Sequence, residues 1–272
     1  MARFSIRSVG VFLLAAALIS TGCSQATTHN HDLDQHGYVF YLDGAGGGGL
    51  LTNWGTGVRE GLTLAKYPGD FANFPWQTGL GVAADQGASV EYKREKAAAV
   101  ARQIREYINS HPDKPVNIVG LSAGTAVAAF ALEALPENYA VENVVLLGSS
   151  LSSHYDMTTA LRRVRNRLYV FTSEKDAVLG VAVSIAGTAD RQFCGACSAG
   201  LKGFHLPASG GVETKRLYGK ISNIEWRPEF ARDGNYGGHT DAVNANFVRD
   251  YIAPLLSEAG PRFLMAGQQP RA

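Results

Sequence analysis

Short, almost wholly apolar runs recur along the chain and alternate with longer segments whose apolar residues return at helical spacing. Runs at 38–42, 116–119, 141–147 and 167–172 read as strands, and 38–42 as one buried on both faces of a sheet. The segment 70–76 is a weaker strand, interrupted by Pro75, and 220–226 reads as the last one. Between them the pattern predicts helices over 56–66, 91–109, 125–135, 157–165 and 177–186. The helix over 91–109 is the clearest, because Val100, Ile104, Tyr107 and Ile108 share one face and charged residues take the other. Residues 188–217, rich in Gly, Ser and Cys, read as an irregular excursion, and 242–257 as a terminal helix. Strands that alternate with helices need crossover connections. The predicted fold class is therefore α/β, a mainly parallel sheet flanked by helices on both faces. In such sheets sites form at the carboxyl ends of the strands.

The N-terminus departs from this pattern. Arg3 and Arg7 precede an apolar stretch, 9–19, that is too short to span a membrane, and small residues follow. Such a start is that of an export signal. Ser20-Thr21-Gly22-Cys23 resembles a bacterial lipobox, in which the cysteine is lipidated and becomes the new N-terminus. Cleavage by ordinary signal peptidase is the alternative. The lipobox resemblance implies a membrane attachment only through Cys23, and Ser24 after it implies sorting to the outer membrane, facing the periplasm or cell surface. The expected organisation is a signal peptide over 1–23, a polar tether over 24–37, one domain over 38–259 and a loose tail over 260–272. His29, His31 and His36 fall in the tether and read as solvated linker, not as metal ligands.

Charge narrows the partners. Of the 25 Lys and Arg, two lie in the signal, which leaves 23 against 24 Asp and Glu. A near-neutral body has no long-range field to draw nucleic acid, so that partner class is set aside. Cys194 and Cys197, in Cys-Gly-Ala-Cys, suit a local disulfide in an oxidising compartment, with free thiols as the alternative. A zinc site would need a second ligand pair, and none is near.

Candidate chemistry begins at Gly120-Leu121-Ser122-Ala123-Gly124. A serine between a buried strand and a helix, with glycine two residues to either side, has the pattern of a nucleophile elbow. In a chain with 31 glycines the five residues alone would be weak; the strand before and the helix after give them weight. Asp176 follows the strand at 167–172, and His239 lies in a Gly-rich loop after the last strand. Serine, acid and histidine thus stand at the carboxyl ends of successive strands, in that order. Glu174 and Asp190 compete for the acid, and His154 and His205 for the base.

On these residues the chain resembles the α/β-hydrolase fold serine hydrolases of the esterase and lipase type, over about 38–257. The resemblance implies a triad of Ser122, Asp176 and His239 acting through an acyl-enzyme on a small-molecule or lipid ester, with no cofactor. It places half of an oxyanion hole in the loop Asp43-Gly44-Ala45-Gly46-Gly47-Gly48-Gly49. There the N–H of Ala45, or of Gly46 as second choice, would join that of Ala123. Relatives commonly carry His-Gly where this chain has Asp43-Gly44, which leaves the hydrogen bonding of the loop open. Residues 149–166 are too few for a lid domain, so the expected form is minimal and its site open. An acyltransferase using the same acyl-enzyme, and a non-catalytic envelope lipoprotein on this scaffold, are the alternatives.

Overall fold

The computed structural model describes residues 33–49 and 52–257. The expected signal peptide, Cys23, His29, His31 and the tail from 260 lie outside the described residues. In chain order the elements are β1 (Tyr38–Leu42), α1 (Gly55–Leu64), β2 (Asp70–Asn73), α2 (Val82–Gly87), α3 (Val90–Ser110), β3 (Val116–Leu121), α4 (Gly124–Ala134), β4 (Val141–Leu147), α5 (Thr158–Leu161) and β5 (Val164–Thr172). They are followed by α6 (Ala177–Ala186), α7 (Ala199–Lys202), α8 (Val212–Tyr218), β6 (Ile221–Glu225) and, after two 3-10 segments, the short α9 (Ala245–Phe247).

The six strands form one sheet in the order β2-β1-β3-β4-β5-β6, and every pairing is parallel. Helices cover both faces of this sheet. Strand side chains alternate between the two faces, and the structure sorts them accordingly. Tyr38, Phe40, Ile118, Val144, Leu146, Leu168 and Val170 join Val100 and Ile104 of α3 and Val127 and Phe130 of α4 in one core. Val39, Tyr41, Val119, Leu121, Val145, Leu147 and Phe171 join Val58 and Leu62 of α1 and Phe247, Val248 and Ile252 in the other. Buried on both faces, the central strands read as largely apolar runs; buried Asn117 of β3 is an exception, bonded to the Leu256 carbonyl and the Asn143 N–H. α4 is buried from Gly124 to Leu132, between the sheet and α3. Phe130 in that layer is 1 % exposed, and its truncation to Ala costs about 3–5 kcal/mol.

Four local expectations are corrected. The helix expected over 157–165 is only α5, because Val164 leaves it to pair with Val141 and open β5 across a register shift. The strand expected over 70–76 stops at Asn73, short of Pro75, which has no N–H for a ladder. The terminal helix expected over 242–257 is broken. Asn244 is extended and caps Asn246 with its side chain, the chain then widens to a π-turn over Val248–Ile252, and a 3-10 turn carries Pro254. The excursion 188–217 is less irregular than its composition implies, since it holds α7 and all of α8 but its last residue. In addition, Asp34–His36, at the end of the expected tether, form a 3-10 turn whose Asp34 carbonyl accepts the hydroxyl of Tyr107.

Candidate active site

Ser122 stands between β3 and α4 at φ +51°, in the left-handed region that costs any residue with a Cβ. Close packing around it requires the flanking glycines. A Cβ on Gly124 would lie 2.1 Å from the carbonyl oxygen of Leu42, and one on Gly120 would lie 3.1 Å from Cα of Thr125. The elbow is held from both sides. The Ser122 N–H donates to the Leu147 carbonyl at 2.9 Å, and the Thr125 hydroxyl donates to the Ser122 carbonyl at 2.6 Å.

The acid and histidine loops converge on this serine. His239 Nε2 is 2.8 Å from Ser122 Oγ, and His239 Nδ1 is 2.7 Å from Asp176 Oδ2. A ring nitrogen that faces a carboxylate carries the proton, which leaves the Nε2 lone pair for the serine hydroxyl. The other Asp176 oxygen, Oδ1, accepts the N–H of Leu179 at 2.9 Å and so caps α6. One carboxylate therefore holds both the imidazole and the helix that follows it. The two loops are also tied to each other, because the Ser173 hydroxyl donates to the Gly237 carbonyl at 2.7 Å. Asp241 Oδ2 accepts Gly238 N–H at 2.8 Å, and Trp226 Nε1 donates to the Asn235 carbonyl at 2.9 Å. Asp176 is 3 % and Ser122 8 % exposed and the His239 side chain 14 %, so the line of hydrogen bonds is largely shielded from water. Behind Asp176 and His239 lies a cavity of about 20 Å³ that reaches Thr172, Ser173 and Asn235. It has room for one water and none for a substrate.

The rival residues are elsewhere. Glu174 pairs with Lys202 at 3.0 Å, and Asp190 accepts the N–H of Ser152 at 2.8 Å. His154 and His205 are exposed and lie against each other, their rings 5.2 Å apart. The structure brings together Ser122, Asp176 and His239.

The glycine loop is ordered by two carboxylates, Asp43 and Asp85. Asp43, fully buried at the end of β1, accepts N–H groups of Gly44 at 2.8 Å, Gly48 at 3.0 Å and Gly55 at 3.4 Å, and the Tyr41 hydroxyl at 3.0 Å. Burial pushes its carboxyl above the usual value, and these donors pull it back. Asp85 of α2 accepts the N–H of Gly46 at 2.7 Å. The N–H of Gly46, the second choice for the oxyanion hole, therefore already has an acceptor. Among the described residues nothing accepts the N–H of Ala45 or of Ala123. Gly44 places the loop beside the serine, for a Cβ there would lie 3.4 Å from Ser122 Cβ. The signal for Asp43 was its position, a carboxylate at the end of a wholly apolar strand; Asp85, distant in sequence, gave none.

Cys194 and Cys197 are bonded to each other on the surface of the excursion. The excursion reaches the site at Gly200, whose carbonyl accepts the N–H of Ser173 at 2.9 Å. Among the described residues no group of three His, Cys, Asp or Glu could hold a metal ion, and no helix is long and apolar enough to cross a membrane.

No family model and no curated protein matches the chain. Among solved structures it is similar to lipase B of Aspergillus fumigatus, with a TM-score of 0.48 and 12 % identity over 86 % of this chain. This chain spans 56 % of that lipase. It is also similar to a cutinase-like protein from Cryptococcus sp. (TM-score 0.42, 16 % identity, 83 % of this chain and 96 % of that one). A third similar structure is an acetylxylan esterase (TM-score 0.35, 15 % identity, 82 % and 94 %). Function is therefore read from the geometry of the site.

Proposed function

We propose that the protein is a serine hydrolase that cleaves carboxylic esters through an acyl-enzyme. The observation that carries this reading is the continuous line Ser122 Oγ, His239, Asp176, with links of 2.8 and 2.7 Å. Ser122 Oγ attacks the ester carbon as its proton passes to His239 Nε2, and the carbonyl oxygen becomes an oxyanion. Asp176 keeps the imidazole in the required tautomer and stabilises the imidazolium. The N–H groups of Ala45 and Ala123 receive the oxyanion, each worth about a hundredfold or more in rate. The carbon–oxygen bond to the alcohol then breaks, and the alcohol leaves with the proton from His239. Water gives a proton to His239, attacks the acyl carbon and releases the acid, and the proton returns to Ser122.

Leu80 and Val82 before and in α2, Val178 and Val181 on α6, and Tyr236 in the histidine loop are exposed apolar side chains on segments next to the site. They support an ester with an apolar part. The connection between β4 and β5 holds only α5, which supports an open site without a lid domain. Export, with a lipid anchor on Cys23 in the outer membrane, is part of the same proposal and rests on residues 1–23; the Cys194–Cys197 bond suits an oxidising compartment.

The test is hydrolysis of p-nitrophenyl esters of increasing chain length by the mature protein, with and without a competing alcohol. Turnover that releases free acid supports the hydrolase. Acyl transfer to the alcohol in preference to water would make it an acyltransferase, and no turnover by a folded protein would leave the scaffold reading. Mass spectrometry of the mature N-terminus checks the anchor: an unmodified Cys23 excludes it.

A further inference from the structure

A loop with four consecutive glycines has wide backbone freedom, yet an oxyanion hole needs one N–H fixed in direction. The peptide unit that matters joins Gly44 to Ala45. Its carbonyl accepts Gly47 N–H at 3.0 Å and Gln77 Nε2 at 3.1 Å, and in a trans peptide the N–H of Ala45 points the opposite way. The next unit, Ala45 to Gly46, is fixed by Asp85 Oδ2. Asp85 is 1 % exposed and both its oxygens are engaged, because Oδ1 accepts the N–H of Thr78 at 2.7 Å and its hydroxyl at 2.6 Å. Packing adds to this: Gly46 has φ +75°, and a Cβ there would lie 2.4 Å from Val82 Cγ2 of α2. Helix α2 thus grips Gly46 by a charge-assisted hydrogen bond and by contact.

Helix α2 is only six residues long and would fray alone. Two cations hold its C-terminal end. Lys93 Nζ donates to the Ala88 carbonyl at 2.6 Å, and the Arg191 guanidinium donates to the carbonyls of Gly87 at 2.5 Å and Ala88 at 3.2 Å. Cations suit the partial negative charge at a helix C-terminus. Arg191 comes from the excursion and is itself left-handed, at φ +63°.

We propose that Asp85 is a positioning residue for the oxyanion loop, and that Arg191 braces α2 so that Asp85 stays in register with Gly46. The proposal rests on the serine hydrolase reading. With Asp85 in place the Gly46 N–H is withdrawn and the Ala45 N–H is left to face the serine. The excursion carrying the disulfide is then part of the site's support, reaching the oxyanion side through Arg191 and the acid side through Gly200.

The experiment compares wild type, Asp85→Asn and Arg191→Met in p-nitrophenyl acetate turnover, inhibition by a trifluoromethyl ketone, and thermal melting. The ketone forms an oxyanion with Ser122 and so reads the hole itself. Asp85→Asn is expected to lower kcat about 30- to 100-fold with KM changed less than about threefold, and to weaken the ketone in parallel. Arg191→Met is expected to show the same signature at about three- to tenfold. Unchanged kcat and ketone affinity in folded Asp85→Asn would overturn the role of Asp85. Should that variant not fold, Arg191→Met decides alone, and a wild-type ketone affinity there overturns the proposal. A wild type that neither turns over ester nor binds the ketone overturns the hydrolase reading and this proposal together, whereas active wild type with indifferent variants removes this proposal only.

Discussion

Ser122, Asp176 and His239 are placed by loops that follow β3, β5 and β6 and are tied directly to one another, by Oγ to Nε2, Nδ1 to Oδ2, and Ser173 to Gly237. The glycine loop that faces them is tied to none of these. Its direction comes from two buried carboxylates, Asp43 below it and Asp85 beside it. The half that holds Ser122 is built by strand ends that the sheet already fixes, so little further support is needed. The half proposed as the oxyanion hole is a glycine-rich segment after β1, and buried carboxylates order it from outside. Rigid elements position side chains cheaply; a glycine loop that offers bare N–H groups needs acceptors for the others.

The comparison breaks most sharply at the serine. Ser122→Ala is expected to lower kcat by about 10⁵- to 10⁶-fold with the fold intact, measured by ester turnover beside circular dichroism. Asp176→Asn tests whether the carboxylate acts through the imidazole or through α6. Asn also caps helices, so melting should stay near that of wild type while kcat falls about 10⁴-fold. A large drop in melting with modest loss of rate would assign Asp176 to the helix. On the other half, Asp43→Asn leaves several N–H groups facing an amide. The expected loss is smaller, about 10- to 100-fold in kcat, with weaker binding of a trifluoromethyl ketone. A loss as deep as that of Ser122→Ala would mean that Asp43 takes part in the chemistry.

The smallest effect concerns stability. Burial lowers the Lys93 ammonium to about 8 from its ordinary 10.5, with Arg191 adding to the shift and Asp85 opposing it. Because the folded value lies below the unfolded one, the unfolded chain holds more protons between these limits, and stability rises with pH across that window. Wild type should gain about 2–3 kcal/mol relative to Lys93→Met between pH 8 and 10, read by urea unfolding at each pH. A difference independent of pH would mean that Lys93 is not strained by its burial.

The central strands were legible because burial on both faces leaves a largely apolar run, and the elbow because its strand and helix context is local. Ser122, Asp176 and His239 could be aligned by strand order alone. What escaped the sequence depends on partners far along the chain. Asp85 lies in a short stretch with no periodicity to mark it, and its partner Gly46 is 39 positions away. Val164 reads as the end of a helix until Val141 supplies a ladder. The segment 242–257 keeps helical spacing of its apolar residues, but Asn244 and Pro254 divide it.

The most direct test is reaction of the mature wild-type protein with a fluorophosphonate probe, followed by peptide mapping, beside Ser122→Ala and His239→Ala. An activated serine predicts stoichiometric modification on Ser122 alone, absent from Ser122→Ala and slowed by orders of magnitude in His239→Ala. A folded wild type that stays unmodified, or a label on another residue, would contradict the account.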